Sequence, residues 1–185
     1  MKHKLVAVML ISVILVVAGC GKANKKVPVS GEKMEAIISP ILNTEGKKIG
    51  EVTLVQEPEG VLINVQAENL PPGSHGIHFH ETGVCTPPDF TSSGAHFNPT
   101  GKEHGFDNPK GFHLGDLPNI EVDEDGKVSM RLTNSEITLK KGLENSILDK
   151  DGSAIVIHEK ADDYKTDPAG DSGARIACAA ITGKK

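Results

Sequence analysis

Tryptophan is absent from this 185-residue chain and tyrosine occurs once, so its core must be built mainly from aliphatic side chains. No segment sustains a long 3.6-residue apolar period, which leaves a helical bundle without support. Positive charge is in short supply as well. Twenty Lys and Arg stand against 25 Asp and Glu, a formal charge of -5, and a nucleic-acid binder would need a clustered basic surface. Cysteine is limited to three residues. What the chain has in quantity is turn formers, with 20 Gly and 11 Pro, and histidine, with eight.

The first 19 residues are expected to be an export signal. Lys2 and Lys4 precede Leu5–Gly19, 15 residues without a charge, which is short for a transmembrane helix but suits a signal-peptide core. The run Val17-Ala18-Gly19-Cys20 resembles the lipobox of bacterial lipoproteins, which implies that Cys20 carries lipid and becomes the first mature residue, anchoring the chain to a membrane. Residues 20–33 are polar and lysine-bearing and form an expected flexible tether, and residues 34–185 the globular domain. Loss of Lys2 and Lys4 leaves 18 cations against 25 acids, a mature charge of -7. Outside the cytoplasm, Cys85 and Cys178 form an even pair that favours a disulfide.

Eight short strand-like runs separated by turn signals predict an all-β domain, an antiparallel sandwich or barrel. They are Met34–Asn43, Ile49–Glu57, Val61–Glu68, His75–Glu81, Asn119–Val122, Lys127–Thr133, Ala154–Glu159 and Ala174–Thr182. Two stretches break the rhythm: Thr82–Gly115, 34 residues long, and the Asp-rich Lys160–Gly173. Loops of that length in a compact domain are usually functional or disordered. The first holds four of the five phenylalanines (Phe90, Phe97, Phe106 and Phe112), and a disordered segment would be depleted in aromatics. Something must hold it in place.

Seven of the eight histidines lie outside the signal. His78 and His80 are two apart, so in a strand they point to one face. His158 belongs to another strand-like run, and His96, His104, His113 and Asp116 frame the end of the long loop. A metal would tie that loop to the strands. Six imidazoles and a carboxylate exceed what one four-coordinate ion needs, so two ions are the natural reading. All-imidazole coordination suits copper; three imidazoles with a carboxylate suit zinc.

The motifs His-Gly-x-His-x-His-Glu at 75–81, Gly-x-His-Phe-Asn-Pro at 94–99, His-Leu-Gly-Asp-Leu-Pro at 113–118 and Gly-x-Arg-x-Ala-Cys at 173–178 resemble the copper–zinc superoxide dismutase family, over roughly Met34 to the C-terminus. The resemblance implies an eight-stranded Greek-key β-barrel carrying a metal-binding loop and a second active-site loop. It implies that His78, His80, His96 and His158 bind copper and that His96, as the bridge, joins His104, His113 and Asp116 on zinc. Asp162 would link His78 to His104, His75 would bind backbone rather than metal, and Cys85 would pair with Cys178. Arg175 would stand beside the open copper position, orienting superoxide on its way to dioxygen and hydrogen peroxide.

A mature charge of -7 opposes an anionic substrate at long range, leaving local positive potential to favour approach. Lys160–Gly173 lacks the Glu-Glu-x-x-Lys guidance cluster of eukaryotic members and offers Lys165 among Asp162, Asp163, Asp167 and Asp171 as a steering candidate. The alternatives are a zinc-holding or copper-buffering lipoprotein without activity, a zinc hydrolase, which needs an open zinc position, and an adhesion sandwich, which needs no converging imidazoles. Oligomeric state is left open, between monomer and homodimer.

Overall fold

The computed structural model describes residues 36–183. The expected signal at 1–19, the lipid-bearing Cys20 and the tether to residue 33 lie outside them. The eight strand-like runs form nine strands: β1 (Ile37–Asn43), β2 (Lys48–Glu57), β3 (Gly60–Ala67), β4 (Gly73–His75), β5 (Ile77–His80), β6 (Ile120–Val122), β7 (Val128–Asn134), β8 (Ser153–His158) and β9 (Arg175–Ile181). The additional strand arises because the run beginning at His75 breaks at Gly76. Before the break β4 pairs with β6, and after it β5 pairs with β8. A 3-10 turn at Thr91–Ser93 is the one helical element among the described residues.

The main sheet runs β5-β8-β9-β1-β2-β3-β7, and every pairing is antiparallel. In the order β9-β1-β2-β3, a strand returning over a long connection lies beside the first of three hairpin-linked strands, the Greek-key arrangement. Side-chain carboxamide and carboxylate groups close two of the tight turns. Asn43 Oδ1 accepts from the backbone of Glu45 and Lys47 at 3.0 and 2.9 Å, and Asp123 Oδ1 accepts from Asp125 and Lys127 at 3.0 and 2.8 Å.

The core is aliphatic, as the lack of tryptophan requires. Val52, Leu54, Val61, Ile63 and Val65 of β2 and β3 meet Ile77 and Phe79 of β5 and Ile155 and Ile157 of β8. Each such burial contributes roughly 1.5–3 kcal/mol. β5 and β8 are buried on both faces. The second face of β8 packs Ala154 and Val156 with Phe90 and Cys178, and Cys85 closes this smaller cluster. Strands covered on one side by core and on the other by loops are what bring the histidines out of solvent.

One irregularity re-aims a side chain. Along β8 and β9, Ile157 pairs with Ala177 but His158 pairs with Arg175, so Ile176 is an extra, bulged residue. Side chains alternate along a strand, and in regular register Arg175 would share the core-facing side of Ala177 and Ala179. The bulge turns it to the face that carries His158.

The 82–115 loop lies along the free edge of β5, where Phe97 N–H donates to Phe79 O at 2.8 Å and Phe79 N–H to Gly115 O at 2.8 Å. A Cβ at Gly115 would sit 2.5 Å from Phe79 O, so only glycine allows this approach. Its phenylalanines fasten the loop: Phe97 enters the main core, Phe90 the smaller cluster, and Phe106 packs against Phe112 and Tyr164 with centroids 5.1 and 5.7 Å away.

Cys85 and Cys178 are disulfide-bonded, with Cα atoms 5.7 Å apart and a sequence separation of 93. Chain-entropy reasoning puts such a crosslink at about 4–5 kcal/mol. Replacing both cysteines by serine is expected to lower the urea unfolding free energy by about that amount, whereas a loss below about 1 kcal/mol would show that the loop is held by packing alone.

Candidate metal centre

Strand alternation aims the first donors. With Ile77 and Phe79 turned into the core, His78 and His80 project from the opposite face of β5, and His158 does the same beside them on β8. The loop is brought over them by isolated backbone bridges that pair His80 with His96 and His78 with Asp116. Two overlapping donor sets result, His78, His80, His96 and His158, and His96, His104, His113 and Asp116, with donor atoms within 4.8 Å of one another in each.

In the first set, His78 Nδ1 and the Nε2 atoms of His80, His96 and His158 are buried with no hydrogen-bond partner. An unmet buried polar atom costs about 1–3 kcal/mol, and four at one point mark a place built to bind something. The opposite nitrogens of three of these rings are held: His78 Nε2 by Asp162 Oδ2 at 2.7 Å, His80 Nδ1 by Gly94 O at 2.9 Å, and His158 Nδ1 by Gly173 O at 3.3 Å. Fixing the far nitrogen leaves the near one with its lone pair free for a metal.

In the second set, Nδ1 of His96 and of His104 each lie 3.1 Å from Asp116 Oδ1, His113 Nδ1 lies 3.4 Å from it, and the Nδ1 atoms of His96 and His113 are 3.3 Å apart. A tetrahedral ion with bonds of about 2.0–2.1 Å has donor–donor edges of about 3.3–3.4 Å, so the set fits zinc. Asp116 Oδ2 accepts from the backbone of Gly105 and His113, both at 3.0 Å, which fixes the carboxylate. His96 belongs to both sets through its two nitrogens.

Asp162 ties the sets together from behind. Oδ2 meets His78 Nε2 and Oδ1 meets His104 Nε2 at 3.0 Å. Gly170 packs against this carboxylate at φ +64°, where a Cβ would fall 1.8 Å from Oδ1. His75 has no nitrogen to spare, since both face backbone carbonyls at 2.8 Å, those of His158 and Pro71.

Burial sets the titration of the first set. It pushes His78, His96 and His158 down to about 4 and His80 well below its usual value, so all four stay neutral and ready to ligate. His104 behaves oppositely. Burial lowers it, but Asp116 and Asp162 on its two nitrogens outweigh that and raise it to about 9. Both carboxylates, despite the opposing effect of burial, are held well below their usual range, Asp116 by His104, His113 and His96 and Asp162 by His104 and His78. A zinc ion would therefore replace a proton on His104.

A cavity of about 1000 Å³ opens onto His80, His96, His113, His158 and Arg175. Arg175 and Lys102 are its two Lys or Arg residues, and Lys165 does not line it. Arg175 Nη1 donates to Phe90 O and Ser93 Oγ, both at 2.9 Å, and Nη2 to Gly94 O at 2.7 Å.

The copper/zinc superoxide dismutase family model matches residues 48–181. The chain belongs to the copper/zinc superoxide dismutase family. The superoxide dismutase-like protein YojM of Bacillus subtilis is 44% identical over 98% of this chain and 97% of its own length. A copper–zinc superoxide dismutase of Aquifex aeolicus, its number 1, is 51% identical over 76% of this chain and 84% of its own. The crystal structure of a SOD-like protein from Bacillus subtilis superposes with a TM-score of 0.76 at 51% identity, covering 78% of this chain and 97% of that one. Copper and zinc are the metals of this superoxide dismutase family, and the two donor sets fit them.

Sequence reasoning missed Asn119. Its side chain donates to Asp162 O and accepts from Asp162 N–H, both at 2.9 Å, while its own N–H donates to Tyr164 Oη at 2.7 Å. It pins the second loop of the dismutase fold to the start of β6. Its position directly after the His113–Pro118 motif was the sole available signal, and nothing there marks a partner 43 residues on.

In the metal-free protein, the four lowered histidines refuse protons that the unfolded chain accepts below pH 6.5. Their neutral burial is therefore fully tolerated above pH 6.5 and costs stability as pH falls toward 4. The raised His104 contributes fully below pH 6.5 and loses its contribution only as pH rises through about 9, so it does not offset the acid loss. Urea midpoints of apoprotein are expected to drop between pH 7 and 4.5, and a flat profile would contradict the assigned histidine environments.

Proposed function

We propose that this chain is an active copper–zinc superoxide dismutase that protects the cell envelope. Membership of the family does not decide activity, because the relative YojM is named only dismutase-like. The observation that carries the reading is the complete set of four unpartnered imidazole nitrogens, three of whose rings line an open cavity beside an arginine. A zinc-structural protein has no need of that first set.

In this reading His78, His80, His96 and His158 hold copper, and His96, His104, His113 and Asp116 hold zinc. Bound copper would supply alternating one-electron reduction and reoxidation, giving dioxygen from one superoxide and hydrogen peroxide from the next, while zinc keeps a structural role. Arg175 receives the anion: its guanidinium is tied to neutral oxygens, so its charge is not cancelled by a carboxylate. His96 Nε2 would hold one of the two protons that peroxide takes up, the second coming from solvent, and its Nδ1 would serve the zinc set. Asp162 keeps His78 and His104 in one tautomer, so the two sets keep their spacing.

The 36–183 region carries 12 Lys and Arg against 23 Asp and Glu, so the domain as a whole repels superoxide. Lys102 on the cavity wall is the lysine placed to offset this, in preference to Lys165. We place the domain outside the cytoplasm, held to the membrane by lipid on Cys20. The disulfide supports an oxidising compartment.

The decisive test loads the mature domain with copper and zinc and follows superoxide loss. The wild type is expected to consume superoxide, and His78→Ala/His158→Ala to lose copper and activity by more than the roughly 10–100-fold that loss of an outer partner costs. Uptake of zinc without copper would instead establish the non-enzymatic reading that the dismutase-like relative suggests. A unit charge about 8 Å away in water is worth about 0.5 kcal/mol, so Lys102→Gln is expected to slow the rate about twofold at low salt and Lys165→Gln to leave it unchanged. Equal effects of the two would remove Lys102 as a steering group.

A further inference from the structure

The buried hydroxyl of Ser93 sits between two groups of the arginine socket, and its hydrogen bonds fix its direction. Ser93 Oγ–H donates to Phe90 O at 2.8 Å, which commits its proton. Its free lone pair then faces Arg175 Nη1 at 2.9 Å, which also donates to Phe90 O at 2.9 Å. Gly94 O completes the socket, taking Nη2 of Arg175 at 2.7 Å on one side and Nδ1 of His80 at 2.9 Å on the other. Ser93 is 0% exposed, so bulk solvent does not compete for this contact. All three acceptors are uncharged, and among the described residues no carboxylate forms an ion pair with Arg175.

Local backbone geometry shapes this socket. Phe90 adopts a left-handed conformation with φ 54° and Gly94 has φ 76°, so the short 3-10 turn between them folds Phe90 O, Ser93 Oγ and Gly94 O toward one point. The bulge at Ile176 brings the guanidinium to meet them. A serine here provides a fixed acceptor without a charge. A carboxylate would hold the arginine as firmly but cancel the potential that attracts an anion.

We propose that Ser93 is a positioning residue for anion recognition: its hydroxyl aims the Arg175 guanidinium at the open side of the copper set while leaving its charge available. This rests on the dismutase reading of the site but is separable from it, because binding of a small anion to the copper-loaded protein does not require turnover.

The experiment titrates copper- and zinc-loaded protein with azide, a small anionic ligand of Cu(II), by its visible absorption, alongside superoxide consumption, metal content and thermal melting. Ser93→Ala is expected to weaken azide binding about three- to tenfold, less than the roughly 10- to 150-fold of a direct hydrogen bond to a charged group because Ser93 reaches the anion only through Arg175, with full metal content. Ser93→Thr, which keeps the oxygen, is expected to bind azide as the wild type does. The deciding comparison repeats Ser93→Ala in an Arg175→Met background. If Ser93 acts through Arg175, its effect on azide vanishes there. The same penalty in both backgrounds, or unchanged azide affinity in Ser93→Ala, would overturn the proposal. So would a Thr variant as weak as the Ala one. A wild type that binds azide but leaves superoxide untouched would instead defeat the dismutase reading alone.

Discussion

Two-sided burial of β5 is the constraint on which the rest of the molecule depends. A strand of four residues sends Ile77 and Phe79 into an aliphatic core and His78 and His80 to the other face. The imidazoles cannot be left against apolar surface without partners, so that face needs both a cover and a ligand. The 82–115 loop provides the cover by hydrogen-bonding along the edge of β5, and in doing so delivers His96 and Asp116 opposite His80 and His78. The same contact that shields an exposed sheet edge therefore assembles the donor sets.

Long-range ties keep this assembly from depending on the metal alone. The disulfide fastens the start of the loop to β9, phenylalanines fasten its middle, and Asp162 joins the two sets from the second loop. Asn119 and Tyr164 hold that second loop in turn. The far nitrogens of His78, His80, His104 and His158 are each held by a fixed oxygen, so much of the geometry is set before an ion arrives. The cost is a metal-free centre full of unmet polar atoms and displaced proton affinities, which binding relieves.

Electrostatics works at two distances. The domain is strongly acidic overall, yet the cavity presents Arg175 anchored only to neutral oxygens, with Lys102 on its wall. Screening in salt confines the general repulsion, whereas a guanidinium in contact with the anion acts at hydrogen-bond range. Local placement can thus outweigh net charge, so on the proposed reading a count of charged residues says little about whether a small anion binds.

Much of this was legible in the sequence. Alternating runs and turn residues marked nearly every strand, because period-two burial is written directly into residue order. Histidine spacing marked His78 and His80 for a similar reason, since residues two apart on a strand share a face, while the other donors were implied by the family resemblance. The family motifs around 75–81, 94–99, 113–118 and 173–178 pointed to the copper–zinc superoxide dismutases. What residue order could not decide were the features set by partners distant in the chain. The break at Gly76, the bulge at Ile176 that turns Arg175 outward, the Asn119–Asp162 pair and the Ser93 socket all depend on which backbone atoms meet after folding. So does the presence of Lys102 rather than Lys165 on the cavity wall. Local pattern dictates which way a side chain points from its own strand, and only tertiary packing decides what it then faces.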